Sequence, residues 1–485
     1  MRPTKTTETA VTVTGSEDSK AINDTQLRRG TIGVPGMLFM VVAATAPLTA
    51  LASNFALSIA AGAGVGTLGW ILVVGALLFL FTAGYVVMSR HVVNAAAYFA
   101  FLGYGLGRTV GAATAFIAAI AYNMATVAML AATGYFTQVA VSSYLDVDIS
   151  WYWYTFVALI LVWAAGYFGV SIASRIAIIV CVIQFALVGA LTIAVLVQSA
   201  GSYNLDGLTP SSMFSGNYAL TLVFCMLSFA SYEAAATYGE ECNAPGNSIR
   251  KATYLALALL VTLFFVASWS LIAASADKAA SAASDPGTLV TVTADEYLGD
   301  WAGTLIAYCI ALSFLAAAVA FHNMAARYHF SLSRAGLIAA RISRVRARTG
   351  TPANATHLQI GLSLLIIVPF VVAGLDPLLN LFPAVSGVTS LATIYVMAGC
   401  CLSVIVSSLK KTVSGSRWST RIAPAISGIG IAVIGGVIVA NYQDVTGSES
   451  PYIAAMPLIL VVGAAYGAIV MRRRADVELE NYLTE

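Results

Sequence analysis

Long apolar stretches recur along almost the whole 485-residue chain and are separated by shorter polar segments. An α-helix needs about 20 mostly apolar residues to cross the hydrocarbon core of a membrane, and each stretch approaches that length. The pattern therefore predicts an all-α polytopic membrane protein with about twelve membrane-spanning helices. The predicted windows are 31–58, 66–89, 109–138, 151–170, 174–199, 216–239, 253–275, 301–331, 356–374, 378–406, 421–441 and 452–471.

The polar segments between these windows have different predicted roles. Very short turns join the fourth window to the fifth and the ninth to the tenth, signalled by Gly-Tyr-Phe-Gly at 166–169 and by Pro377. Residues 1–30 lack the pattern of a cleavable signal and are predicted to be a disordered cytoplasmic tail, and 472–485 a second tail. The longest loop on the opposite side, 276–300, is expected to hold one short helix.

The charges that flank the windows predict the orientation of the chain. Lys and Arg concentrate on the cytoplasmic side of membrane proteins. With the N-terminus inside, only Lys278 of the 24 Lys and Arg residues falls outside. Both termini are thus predicted to be cytoplasmic, in a multi-pass protein of the cytoplasmic membrane. The basic run Arg341–Arg348 is interpreted as part of this pattern, not as a nucleic-acid site.

Composition excludes several classes of protein. With 59% hydrophobic residues, 9% charged residues and a mean hydropathy of +0.86, the chain has too little charge to cover a soluble domain. The six cysteines form no CxxC pair and no disulfide framework. HExxH and GxSxG motifs are absent, so we expect neither an enzyme nor a metal or cofactor site.

An ionisable group inside a membrane is costly and is a functional candidate for that reason. Glu233 is the acidic residue that lies well inside a window, where Ser228 and Ser231 interrupt the apolar run. Serine side chains can satisfy freed backbone groups, so a local unwinding is tolerable there. The carboxylate either faces a substrate amine or a proton, or caps freed amides as a structural acid.

A second irregularity lies in the first window, at Pro47. Proline removes a backbone donor and clashes with the preceding turn, which predicts a break near Thr45. Interrupted helices at corresponding positions of two halves indicate a transporter binding site. His322, inside the eighth window, is either a proton-coupling residue or a hydrogen-bonded packing histidine.

Three segments resemble a known family. Ser228–Arg250 is similar to the sixth-helix signature of the amino acid–polyamine–organocation superfamily. Arg327, Ser333, Arg334 and Gly336 resemble the end of its eighth helix, and Val93–Tyr98 the loop before its third. The resemblance implies the leucine-transporter-type fold, with inverted repeats of five helices in 31–199 and 216–406. Two further helices follow in 421–471.

The resemblance also implies where substrate and coupling ion are handled. Gln184 stands nine positions after Arg175, where proton-coupled members often have a lysine, so lysine-based coupling is excluded at that position. The hydroxyls of Thr304 and Ser313 are too few for a sodium site. Protons are the leading coupling ion, with Glu233, His322 and Gln184 as the positions of interest. The implied substrate-binding residues are Ala44, Thr45, Ala46, Pro47, Tyr122, Leu227, Phe229, Ala230, Ser231 and Glu233.

We therefore expect a secondary permease for amino acids or related small amines, including polyamines. Tyr122 has two interpretations, as an aromatic contact for the amine or as an ordinary packed tyrosine. Exchange or uniport is the alternative within the same fold, and a non-transporting nutrient sensor is the alternative from another class. The expected partners are the small-molecule substrate and the lipid bilayer, and the sequence leaves monomer and homodimer open.

Overall fold

The computed structural model describes residues 45–92, 97–168, 172–199, 205–229, 245–275, 286–346 and 351–474, together with Val34 and Leu38. Within these ranges every regular element is helical, as the apolar windows predict. Eight of the described helices are long and apolar enough to cross a membrane. The predicted all-α fold class is therefore confirmed.

The helices are numbered in chain order. The first half of the chain contains α1 (Pro47–Ala60), α2 (Thr67–His91), α3 (Ala97–Leu106), α4 (Arg108–Leu145), α5 (Trp151–Phe168), α6 (Ile172–Gln198), α7 (Pro210–Met213) and α8 (Tyr218–Ser228). The second half contains α9 (Pro245–Ser275), α10 (Leu289–Leu298), α11 (Asp300–Arg334), α12 (Ala353–Val372), α13 (Pro377–Leu409), α14 (Trp418–Ala440), α15 (Tyr442–Thr446), α16 (Pro451–Ala454) and α17 (Leu458–Arg473).

Each predicted window contains a described helix, although several bounds differ. α9 begins at Pro245 instead of 253, because proline is well tolerated in the first turn of a helix. The last window divides into the short α16 and the longer α17, which starts directly after Pro457. Pro377, the expected turn signal, begins α13, and the loop before α11 holds α10 as predicted.

The centre of the bundle is formed by α4, which packs against α11 and also against α13. α1 and α8 contact each other beside this centre, and α17 packs along α4. Close approach depends on small residues. A Cβ at Gly134 would lie 1.9 Å from the Thr155 hydroxyl of α5, so only glycine allows this spacing. The predicted division into two repeats and tails stays a prediction.

The described charges separate to the two ends of the bundle. Every described Lys and Arg lies towards one end, which we call the basic end; Arg90, Arg334 and Arg473 are examples. Every described Asp and Glu lies at the other, the acidic end, for example Asp206 and Asp295. Such asymmetry is typical of a chain whose helices cross a membrane repeatedly.

A cysteine at each end tests this separation. We expect Ser211→Cys, at the acidic end, and Ser414→Cys, at the basic end, to react with a membrane-impermeant maleimide from opposite sides, because both serines are exposed. The measurement is labelling of intact and of permeabilised cells, in a background without the six native cysteines. Labelling of both variants from the same side would contradict the arrangement of the helices.

Candidate functional site

A cavity of about 130 Å³ lies where α1 begins and α8 ends. It is enclosed by α1, α4, α8, α11 and α13, and none of the described residues that line it is charged. The lining residues are Thr45, Ala46, Thr49, Ala50, Ser53, Asn54, Ala118, Ala121, Tyr122, Ala125, Ala128, Met129, Leu227, Ser228, Phe314, Ala317, Phe321, Tyr328, Ser386, Thr389, Ala392, Thr393 and Val396.

The start of α1 has an unusual backbone conformation. Ala46 adopts a left-handed conformation with φ of 42°, directly before Pro47. A residue before proline is disfavoured in the right-handed helical region, and Pro47 has no N–H to continue a helix from the preceding turn. The Ala46 carbonyl instead accepts from the Thr49 hydroxyl at 2.5 Å and from the Ala50 N–H at 3.2 Å. The predicted break near Thr45 is thus confirmed as the point where α1 starts.

Short polar side chains connect α1 to α8 beside the cavity. The Asn54 amide donates to the Ser228 hydroxyl at 2.9 Å, and Ser228 in turn donates to the Phe224 carbonyl at 2.7 Å. The Ser53 hydroxyl donates to the Thr49 carbonyl at 2.8 Å. These buried hydrogen bonds hold the two helix ends together and leave a polar surface on one side of the cavity.

The opposite side of the cavity is lined by aromatic side chains and otherwise mostly by small ones. Ring centroids of Tyr122 and Tyr328 are 5.0 Å apart, and those of Tyr122 and Phe321 are 6.3 Å apart. Tyr122 belongs to a face of α4 that otherwise carries mostly alanine, including Ala118 and Ala125, at the three- and four-residue spacing of a helix. Alanine leaves the room that larger side chains would fill.

Four buried phenylalanines close the cavity towards the acidic end. We call Phe136, Phe224, Phe314 and Phe382 the phenylalanine layer; each is at most 2% exposed. Phe136 and Phe314 stack with centroids 5.0 Å apart, and Phe224 and Phe382 with centroids 5.7 Å apart. Phe314 meets Phe382 edge-on at 6.4 Å, which joins the two pairs. Tyr122, Phe321 and Tyr328, nearer the basic end, are half-buried.

A second cover lies outside the phenylalanine layer. α10 is fixed to α4 by the Tyr144 hydroxyl, which donates to the Asp295 carboxylate at 3.2 Å. The Gln198 amide at the end of α6 donates to the Tyr297 carbonyl at 3.0 Å. Burial raises the pKa of Asp295, with Asp300 adding to the effect and the Tyr144 hydrogen bond opposing it. This second cover at the acidic end is therefore held by specific hydrogen bonds as well as by packing.

The structure brings together part of the predicted substrate site. Thr45, Ala46, Tyr122 and Leu227 line the cavity. Pro47 is buried in the first turn of α1 and does not line it. Phe229 does not line it either; its ring packs edge-on against Phe264 at 5.5 Å. Four further predicted residues lie outside the described ranges: Ala44, Ala230, Ser231 and Glu233.

The two described coupling candidates lie away from the cavity. His322 is fully buried and its Nδ1 is hydrogen-bonded to the Gln359 side-chain oxygen, while Gln359 donates to Ser363 at 2.9 Å. Its Nε2 faces α5 at Gly166, where a Cβ would be only 2.4 Å away. Gln184 is also buried, and its side-chain oxygen has no hydrogen-bond partner among the described residues.

Sequence reasoning missed several residues. His329 lies on the same face of α11 as His322 and is buried. The side-chain nitrogen of Asn123 donates to the Nε2 of His329 at 3.0 Å. The cavity residues that were missed lie on helix faces that are otherwise alanine-rich or uniformly apolar. Their only signal in the sequence was a single polar or aromatic residue on such a face. They include Asn54, Ser228, Phe314, Phe321, Tyr328, Ser386 and Thr389.

Comparisons with known proteins agree on a transporter. Residues 32–464 match a family model described as amino acid permease. The fold is similar to the crystal structure of a mutant of the manganese transporter of Eremococcus coleocola, with a TM-score of 0.55 and 12% identity. That similarity covers 92% of this chain and 97% of the other. A search of curated protein sequences found no match.

The left-handed conformation of Ala46, directly before α1, predicts a different effect of substitution there than at Ala50 inside the helix. An alanine in this conformation costs about 1–2 kcal/mol, which glycine avoids, so Ala46→Gly should leave the melting temperature unchanged or raise it. Ala50, in the right-handed helix one turn later, is the matched control, and Ala50→Gly should destabilise by about 1 kcal/mol. Thermal unfolding of the two purified variants in detergent compares them. An equal loss of stability would place Ala46 in an ordinary helical conformation.

Proposed function

The chain belongs to the amino acid permease family, and we propose that it carries amino acids or related small amines across the cytoplasmic membrane by alternating access. The observation that supports this most strongly is the cavity at the start of α1 and the end of α8. Helix ends inside a membrane protein present backbone groups and dipoles that can bind the polar groups of a solute. The phenylalanine layer closes one access route and leaves the other route to be opened or closed separately.

The lining of the cavity favours a small substrate that carries an amine. Its volume of about 130 Å³ is comparable to cavities of about 150 Å³ that hold a benzene-sized ligand. An ammonium group is attracted to the faces of aromatic rings, which Tyr122, Phe321 and Tyr328 provide. Hydroxyl and amide groups across the cavity, such as those of Thr49 and Asn54, can bind a second polar group. A small amino acid fits these features better than an extended polyamine.

We assign the basic end to the cytoplasm, because positively charged loops stay inside. The phenylalanine layer and the α10 cover then close the cavity towards the outside. The half-buried Tyr122, Phe321 and Tyr328 lie nearer the cytoplasmic end of their helices. The arrangement corresponds to the inward-directed half of a transport cycle, and outward opening requires Phe314 to separate from Phe136 or Phe382.

Substrate counterflow into proteoliposomes tests the proposal, with a panel of amino acids, small amines and polyamines. We expect at least one small member of the panel to be exchanged. Ala125→Phe, which fills the cavity from α4, should lower that exchange by about tenfold or more, since a ring displaces the bound substrate. The matched control is Ala113→Phe on the same helix, outside the cavity, which should stay close to the unmodified protein.

Both variants are first checked for a single peak in size-exclusion chromatography. Equal exchange by Ala125→Phe and Ala113→Phe would place the substrate elsewhere. A panel member that stabilises the protein against heat without being exchanged would favour the nutrient sensor over the carrier. Exchange without net accumulation would favour the exchanger or uniporter.

Protons are the coupling ion that we propose, through Glu233 or His322. The two hydroxyls of α11 considered for sodium both donate to carbonyls of their own helix: Thr304 to Asp300 at 2.9 Å and Ser313 to Cys309 at 2.5 Å. Within the described ranges no group of three or more His, Cys, Asp or Glu residues could hold a metal ion. His322 is hydrogen-bonded to Gln359 and does not line the cavity. Glu233 is a candidate from the sequence, as the acidic residue well inside a predicted window.

Uptake in sodium and in choline buffers, each at several pH values, tests this coupling. We expect uptake without sodium, and about tenfold lower uptake of a cationic substrate by Glu233→Gln, because a charge-assisted hydrogen bond contributes about 1.5–3 kcal/mol. The residual uptake should lose its pH dependence. Glu449→Gln, an exposed residue at the acidic end, is the control for removal of one carboxylate. A strict sodium requirement would overturn the proposal, and a normal pH profile in Glu233→Gln would exclude Glu233 and leave His322 as the coupling residue.

A further inference from the structure

A second recess lies at the basic end, between the end of α11 and the end of α17. We call it the arginine recess, and its volume is about 440 Å³. One wall is the backbone turn Gly336–Ala340, which follows α11. The other wall is the last two turns of α17, including Tyr466, Arg473 and Arg474. The recess is separate from the substrate cavity and shares none of its lining residues.

The turn that forms the first wall is held by its own hydrogen bonds. The Leu337 N–H donates to the Leu332 carbonyl at 2.9 Å, and the Ser333 hydroxyl donates to the Ala339 carbonyl at 2.8 Å. Gly336 has a φ of 67°, a conformation that favours glycine. A Cβ there would also lie 2.6 Å from Nη1 of Arg474, so the absence of a side chain lets the guanidinium lie against the turn.

Two neighbouring guanidinium groups favour an anionic ligand with several oxygens. Arginine presents planar N–H donors that match phosphate in a two-pronged hydrogen bond. Arg473 and Arg474 follow each other at the end of α17, and both are exposed. The C-terminal end of a helix also favours positive charge, so the arginines remain compatible with α17 while they bind. The shared chemistry of the ligand is therefore a phosphate group.

The face of α17 that leads to the recess indicates the source of that phosphate. Leu458, Val462, Tyr466 and Ile469 follow one another at three- or four-residue spacing and thus lie on one helix face. They are 61%, 66%, 49% and 50% exposed, and Arg473 continues the same face. An exposed apolar face within a membrane contacts acyl chains, with tyrosine and arginine at the headgroup level. A free phosphate ion would make no use of this face.

The opposite face of α17 is firmly seated on α4. A Cβ at Gly467 would lie 2.7 Å from the Phe116 ring and 2.9 Å from the Ala112 carbonyl oxygen. Phe116 also meets Tyr466 edge-on, with centroids 5.1 Å apart. Because one face is fixed by packing, the other presents its apolar side chains and its arginines at fixed positions.

We propose that the arginine recess binds the phosphate of one anionic phospholipid, whose acyl chains lie along the exposed face of α17. With the basic end at the cytoplasm, this lipid belongs to the leaflet that carries more anionic headgroups. The site is independent of the transported substrate. It is linked to the cavity through α11, since Tyr328 of the cavity packs in the same apolar cluster as Leu337 and Met471 of the recess region.

Native mass spectrometry of the purified protein, titrated with phosphatidylglycerol or phosphatidylcholine, tests the proposal. We expect retention of phosphatidylglycerol about tenfold above phosphatidylcholine, and loss of that preference in the double variant Arg473→Gln/Arg474→Gln, since each arginine contributes separately to anionic lipid binding. Arg473→Lys/Arg474→Lys should keep part of the preference, because it keeps the charge. The matched control is Arg341→Gln/Arg344→Gln, which removes two exposed charges from the same end but outside the recess.

Three outcomes would overturn the proposal. Equal retention of the two lipids would mean that the recess does not recognise an anionic headgroup. An equal loss in both Arg→Gln double variants would indicate a diffuse charge effect. Displacement of phosphatidylglycerol by an excess of inorganic phosphate would identify a free anion as the ligand. Melting temperatures measured without added lipid verify that the double variants are folded.

Discussion

Backbone groups at a helix end find no hydrogen-bond partner in hydrocarbon, so a helix that starts or stops inside a membrane must do so within protein. The centre of this chain depends on that constraint. α1 starts and α8 stops beside the same cavity, and short polar side chains gather at the two ends. Thr49 donates to the carbonyl of Ala46, and Asn54 joins α1 to Ser228 of α8. The groups that stabilise the helix ends are thus groups that line the cavity.

The same constraint explains why the cavity is closed by aromatic side chains and not by backbone. In the proposed transport cycle a closure that opens repeatedly cannot break main-chain hydrogen bonds each time, whereas stacked rings can separate and repack. The pairs Phe136–Phe314 and Phe224–Phe382 come from four different helices, so relative movement of these helices is enough to open the layer. The contact between Tyr144 and Asp295 adds a polar hold outside it.

The sequence was sufficient for the all-α fold class, and four residues that it predicted for a substrate site line the cavity. Hydropathy over about 20 residues reports burial in a membrane, so all twelve windows contain described helices. Pro47 predicted the start of α1, because proline restricts the local backbone and lacks the N–H that a preceding helical turn would need. Local signals do not tell which face of an apolar helix meets a cavity. Phe229 was therefore expected in the site although it packs on Phe264, while Tyr328 was missed.

α11 connects the parts of this molecule that have been described separately. Its 35 residues extend over about 50 Å, well beyond a hydrocarbon core of about 30 Å. Along this length it supplies Phe314 to the phenylalanine layer, Tyr328 to the cavity, and the turn at Gly336 to the arginine recess. The hydrogen bond between His322 and Gln359 fixes another face of the same helix to α12. A movement of α11 that separates the phenylalanine layer must therefore also displace the recess or bend the helix, and α11 contains no proline that would favour a bend. A lipid held between α17 and the turn that follows α11 would accordingly act on the same equilibrium as a solute in the cavity, because that turn continues directly from the helix that lines the cavity.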